Sequence, residues 1–336
     1  MKQQILLASM VALLTPAPVL AQEDFRVGMV TDVGGIDDKS FNQGAWEGIQ
    51  AWGEEHGKTE GQDFTYLESH SDSDFVTNLN NAVQANFDII YAIGYKLQPS
   101  LEQVAEQNPE QYFGIVDGVV DMPNVVSLNF KDHEAAFLAG VAAANSTEKD
   151  KIGFISGVEG VVIDRFEAGF VAGVKAVAPD KEVVVEYAGA FNDPTKGKQI
   201  ASAMYSQDID LIYHASGPTG NGVFSEAKDL ITADPERQLW VIGVDRDQTD
   251  EGAFEVNGEA RNVTLTSSLK NTGNVVRNFS NQMMETGFEA GNIVSDLANE
   301  GVGLAEGQLS EETLALVEEY KEKIISGEIV VPEKPE

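Results

Sequence analysis

What most constrains this chain is an alternation of short β-rich apolar runs with longer runs of helical period. RVGMVT at 26–31 precedes a predicted helix over 41–55, DFTYLES one over 75–86, and FDIIYAIG one over 98–107, before QYFGIVD closes the series. After NVVSLNF a second series begins: helix 132–145, KIGFIS, helix 163–177, EVVVEY, helix 195–206, DIDLIYHAS, helix 221–232 and LWVIGVD. Strands that alternate with amphipathic helices build a parallel sheet covered on both faces. Two such series predict an α/β protein of two doubly wound parallel-sheet lobes. NVTLTSSLK and a helix over 272–285 are expected to return to the first lobe, and a charged helix over 311–325 to finish the second. The expected division is residues 25–128 plus 260–300 for the first lobe and 129–259 plus 301–332 for the second.

The first residues have a different character. Lys2 precedes an apolar run from Ile5 to Leu14, then Val19-Leu20-Ala21 and acidic residues beyond Gln22. A charged start, a short apolar stretch and a small-residue cleavage site are the anatomy of a secretory signal peptide, residues 1–21. The run is shorter than the roughly 20 residues a spanning helix needs, and Pro16 and Pro18 argue against a core helix there. The remaining length of about 315 residues is more than one core usually supports.

Composition narrows the function classes. The chain has no cysteine, which excludes disulfides, thiolate chemistry and a lipidated N-terminal Cys. The expected location is therefore the periplasm, as a freely diffusing protein. A formal charge of −33 repels nucleic acid and anionic membranes, so no nucleic-acid partner is expected. Hydrophobic content of 42% is that of a folded chain, and the acidic excess reads as solvated surface.

Open α/β sheets bind ligands beyond the carboxyl ends of their strands, so the loops after each apolar run are the places to search. After the first strand comes TDVGGIDDKSFNQGAWEG, with Asp32, Phe41 and Asn42. After EVVVEY comes AGAFNDPTKG with Phe191, and after DLIYHAS comes GPTGNG, where Gly217 lets backbone approach a ligand. Asp117 ends QYFGIVD, Asp245 ends WVIGVD and Lys270 follows NVTLTSS. The set combines aromatic faces with groups that bind hydroxyls. Asp32 and Asp38 also suit the capping of a helix that starts near Ser40, and Trp46 and Trp52 read as core.

These stretches, TDVGGIDDKSFNQGAWEG, GAFNDPTKGK, YHASGPTGNGVF, WVIGVDRDQ and TSSLKN, resemble in order and spacing the basic membrane protein family of ABC-transporter substrate-binding proteins, and within it the purine nucleoside receptors. The resemblance implies a type I periplasmic-binding-protein fold with a ligand cleft between lobes that close on a hinge. It further implies that Phe41 and Phe191 sandwich a base whose edge meets Asp32 and Asn42. Asp245 and Lys270 then bind ribose hydroxyls, Gly217 lends backbone and Asp117 joins the site. The implied ligand is a purine nucleoside such as adenosine, guanosine or inosine. The implied partners are an ABC permease and its ATPase, with the binding protein a monomer that needs no cofactor and no metal.

Enzyme readings find little support. His56, His70, His133 and His214 are scattered without metal-ligand spacing, and only His214 lies at a strand end. GPTGNG lacks the Lys-Ser/Thr ending of a phosphate loop, and no GxSxG elbow is present. A nucleoside hydrolase would want clustered aspartates around a metal, for which GGIDDKS is the nearest match. Readings that keep the fold replace the nucleoside with riboflavin, a free purine base or a sugar, or make the protein a ligand sensor for a membrane receptor.

Overall fold

The computed structural model describes residues 25–335; the expected signal peptide, residues 1–21, lies outside them. In chain order the first sheet is built from β1 (Val27–Val30), α1 (Phe41–Glu55), β2 (Phe64–Leu67), α2 (Phe75–Gln84), β3 (Ile89–Ile93), α3 (Gln98–Gln107), β4 (Tyr112–Val116) and β5 (Val125–Phe130). The chain then leaves through α4 (Asp132–Ser146) for β6 (Lys151–Ser156), α5 (Val161–Val177), β7 (Glu182–Tyr187), α6 (Pro194–Tyr205), β8 (Leu211–Ala215), α7 (Pro218–Ala233) and β9 (Trp240–Asp245). The last part runs through α8 (Thr249–Gly252), a hairpin of β10 (Ala253–Val256) and β11 (Glu259–Asn262), β12 (Thr264–Lys270), α9 (Thr272–Thr286), β13 (Gly291–Ser295), β14 (Val302–Leu304) and α10 (Glu311–Ile325).

The two large sheets have matching strand orders, β2-β1-β3-β4-β5-β13 and β7-β6-β8-β9-β12-β14. All pairings in the first are parallel, and in the second only β14 runs antiparallel, to β12. Strands β3 and β5 are buried along their whole length because helices cover both faces. Trp46 and Trp52 are core residues, with Trp52 edge-on to Phe25 and Phe64.

Two expectations need correction. NVTLTSSLK was expected in the first lobe, but β12 pairs in parallel with β9, from Thr264 beside Val241 to Leu269 beside Asp245. The reason is the β10–β11 hairpin. It returns the chain to the amino end of β9, where Val241 N–H donates to the Val263 carbonyl, so the next strand can only extend the second sheet. Helix α4 was expected to be amphipathic, yet every residue from Asp132 to Ala144 is buried. It lies against α5, α10, β12 and β14, and its backbone touches that of α5 so closely that a β-carbon on Gly140 would sit 2.3 Å from the Phe170 carbonyl oxygen.

Three segments cross between the sheets, at 131, 271 and 296–301, and they are bonded side by side. Lys131 N–H donates to the Ser295 carbonyl at 2.8 Å, and Asn271 N–H to the Gly301 carbonyl at 2.9 Å. Lys131 also pairs with Asp296 at 3.0 Å and Glu134 at 3.1 Å. A few segment-end residues that absorb backbone rotation are what a hinge requires.

Candidate ligand site between the two lobes

The carboxyl ends of both sheets face each other across a cavity of about 70 Å³, at the strand ends where open α/β sheets bind their ligands. Asp32, Phe41, Asn42, Asp117, Phe191, Gly217, Asp245 and Lys270 all line it. It also takes in Asp38 and Tyr95 from the first lobe, and Val162, Ile163 and Phe166 from the first turns of α5.

The first-lobe wall is a hydrogen-bonded carboxylate network at the start of α1. Asp38 caps that helix: Oδ1 accepts from Ser40 N–H at 2.8 Å and Gln43 N–H at 3.1 Å, and Oδ2 from Asn42 N–H at 2.8 Å. The Asn42 amide donates to Asp38 Oδ2 at 2.9 Å and to Asp32 Oδ1 at 2.7 Å. Asp32 Oδ1 also accepts from Gly34 N–H at 2.9 Å, and Oδ2 takes part in none of these bonds. Burial pushes the Asp32 carboxyl up to about 6, against the opposing pull of its bonds from Gly34 and Asn42. Ser40, freed from capping, donates its hydroxyl to Asp245 on the other lobe.

The second-lobe wall is mostly apolar, formed by Val162, Ile163, Phe166, Phe191, Ala215, Pro218 and Val244. Phe191 rests where a β-carbon on Gly157 would fall 2.2 Å from its ring. Its loop is pinned to the start of α7, since the Phe191 carbonyl accepts from Thr219 N–H at 2.8 Å and Thr219 Oγ1 donates to the Ala190 carbonyl at 2.9 Å. Gly217 holds the junction with φ 54° and ψ −138°, a conformation that side chains disfavour.

Lys270, the last residue of β12, also lines the cavity. Its ammonium is 2.6 Å from Asp117 Oδ2 and 2.9 Å from Asp132 Oδ1, and lies over the rings of Phe41, Phe130 and Phe166 at 5.2, 5.0 and 5.6 Å from their centroids. Burial works against this charge, yet Asp117, Asp132 and Asp245 together outweigh it and hold the ammonium above its ordinary range. Asp245 is pushed up to about 6 by burial, with Lys270 and Ser40 opposing. Burial raises Asp132 as well, against the pull of Lys270. Asp117 and Asp245 have φ of 65° and 68°, strained conformations of the kind that collect at functional sites.

Further bonds join the walls. Gln248 Nε2 donates to the Lys39 carbonyl at 2.9 Å, and Arg246 pairs with Glu47 at 3.1 Å. His214 does not line the cavity. It is fully buried beneath α7, bonds Gln248 Oε1 at 3.0 Å, and is held neutral by burial that lowers its pKa to about 4. Sequence reasoning missed Asp132, the first residue of α4, whose first turn also carries Glu134, and Tyr95, in a loop without a recognisable pattern. Among the described residues no group of three or more His, Asp or Glu side chains is arranged to hold a metal ion.

Residues 25–335 match the family described as ABC transporter substrate-binding protein PnrA-like, Bmp. The chain belongs to that family. It is 51% identical over 321 residues to the CD4+ T-cell-stimulating antigen of Listeria monocytogenes, covering 94% of this chain and 90% of that protein. It is 43% identical over 315 residues to the ABC transporter nucleoside-binding protein BmpA of Lactococcus lactis, covering 93% and 90%. Among solved structures it resembles an ABC transporter solute-binding protein from Aeropyrum pernix, at 28% identity and a TM-score of 0.80 over 92% of this chain and 94% of that one. This Bmp-family chain is thus the substrate-binding component of an ABC transporter, with the type I fold of periplasmic solute-binding proteins. Its family and neighbours bind solutes rather than transform them. A small-molecule ligand and permease and ATPase subunits are the partners of such a component. Among the described residues no helix is long and apolar enough to cross a membrane.

Proposed function

We propose that the protein captures a purine nucleoside between its lobes and presents the closed form to an ABC permease. The observation that carries this reading is that Phe41 from the first lobe and Phe191 from the second both line a cavity whose charged groups are carboxylates and one lysine. A base stacked on an aromatic face gains roughly 1–3 kcal/mol, and two faces from opposite lobes link that gain to closure. Asp32 Oδ2 accepts from a ring N–H. Asn42, its amide already bonded to Asp32 and Asp38, positions that carboxylate rather than reaching the base. Asp245 and the Lys270–Asp117 pair bind the ribose hydroxyls, and Gly217 lets backbone approach. The excess of buried carboxylates over ammonium disfavours phosphorylated ligands.

Capture follows from population shift. The open and closed forms exchange, and a ligand that contacts both walls stabilises the closed one. The protein acts as a periplasmic monomer after cleavage of its signal peptide, and it catalyses no reaction. The name of the Lactococcus relative agrees with a nucleoside ligand. The test is calorimetric titration of protein that has been unfolded and refolded to strip carried ligand, with adenosine, guanosine, inosine, riboflavin and ribose. Tight binding of a purine nucleoside with none of ribose is expected. Silence toward every nucleoside, or a preference for riboflavin or ribose, would overturn the reading.

A further inference from the structure

We infer that the Tyr95 hydroxyl is a specificity-determining donor that hydrogen-bonds an acceptor on the heterocycle's edge, next to the N–H taken by Asp32. The inference rests on the nucleoside reading of the cavity. Tyr95 opens a 3₁₀ turn, Tyr95–Leu97, just beyond the carboxyl end of β3. That turn is held on both sides: Gly94 N–H donates to the Val116 carbonyl at 3.1 Å and Leu97 N–H to the Gly94 carbonyl at 3.0 Å. The next residue, Lys96, is tied away to Asp72 at 3.2 Å. The backbone therefore aims the Tyr95 ring into the cavity, which it lines.

The hydroxyl oxygen is buried and has no hydrogen-bond partner. A buried hydroxyl left unpaired forfeits its hydrogen bond to water without replacement, so a wall carrying one in a ligand cavity is completed by the ligand. Burial first, then the negative charge of Asp32 and Asp117, push the phenol up to about 12, so it stays a donor at neutral pH. Asp32 is near enough for its charge to act on the phenol, and the preceding residue packs against it: a β-carbon on Gly94 would lie 3.4 Å from Asp32 Oδ2 and 3.6 Å from the Phe41 ring. A carboxylate acceptor beside a phenol donor matches a heterocycle that offers N–H beside C=O, as the six-membered rings of hypoxanthine and guanine do. The hydroxyl also reaches the opposite lobe: a β-carbon on Gly160 would sit 3.2 Å from it.

The test is a calorimetric cycle on the full protein with inosine as probe, comparing parent, Tyr95→Phe, Gly160→Ala and the double variant. Tyr95→Phe keeps the ring and should bind inosine about 3- to 10-fold more weakly, the loss of one net hydrogen bond, with an unchanged thermal midpoint or a raised one. Gly160→Ala should weaken the parent by displacing the hydroxyl, and cost less in the Tyr95→Phe background. A parent that binds inosine and a Tyr95→Phe variant within twofold of it, or tighter, overturns the role of Tyr95 alone. A parent that binds no nucleoside overturns this inference together with the reading beneath it.

Discussion

The two walls of the cavity are built by opposite means. The first-lobe wall is polar and already satisfied within itself: Asp38 caps α1, Asn42 ties Asp38 to Asp32, and only selected atoms are left toward the cavity. The second-lobe wall offers flat apolar surface from α5, the Phe191 loop and Pro218, with Asp245 and Lys270 at the strand ends. The contrast separates two tasks. A rigid hydrogen-bonded wall discriminates between ligands, because its donors and acceptors cannot adapt to a wrong partner. An apolar wall rewards closure over any flat ring, because its gain scales with area covered.

The largest effect that would break this comparison falls on Lys270, the buried cation between the walls. Lys270→Met leaves Asp117 and Asp132 without their counter-ion, and should destabilise the protein by about 3–5 kcal/mol in urea unfolding. A variant as stable as the parent would mean the cluster does not hold the lobes' junction. Next come Phe41→Ala and Phe191→Ala, each expected to weaken nucleoside binding by roughly 1–3 kcal/mol in calorimetry, with folding retained because both rings are only partly buried. Equal losses sharpen the picture of a base held between Phe41 and Phe191, whereas a loss at Phe41 alone would remove Phe191 from base recognition.

A third prediction uses pH. Asp32 and Asp245 titrate near 6 in the folded protein, and Asp132 is also raised. Groups raised by folding bind protons more tightly in the folded state, so their contribution is complete below about pH 4 and is lost as pH rises toward 6 and just beyond. The unliganded Asp32→Asn,Asp245→Asn double variant should lack much of this loss, giving a flatter or rising midpoint from pH 4 to 7 compared with the parent. Identical profiles would contradict the assigned burial of these carboxyls. The smallest effect is expected at Arg246→Ala, which removes a partly exposed bridge to Glu47 between the lobes and should change stability by at most about 1 kcal/mol.

Much of this arrangement is legible in the sequence, for a physical reason. Ligand groups of a doubly wound sheet must follow strands, so Asp32, Asp117, Asp245 and Lys270 announce themselves as polar residues closing apolar runs. Strand β12 was misread because its apolar-hydroxyl pattern, TLTSSLK, says that it is buried but not in which sheet; the hairpin before it decides that. Asn42 reads like a ligand contact, and only the geometry reveals that its amide is already bonded to two carboxylates. Asp132 and Tyr95 enter through folding of the chain onto itself, and no local pattern encodes the distance from Lys270 to Asp132.

The central claim, a ligand gripped by both walls at once, is tested most directly by amide hydrogen exchange of the refolded protein with and without inosine. Slowed exchange should appear together in residues 32–43 of the first lobe and in residues 189–192 and 216–220 of the second. Slowing confined to one lobe would contradict the account.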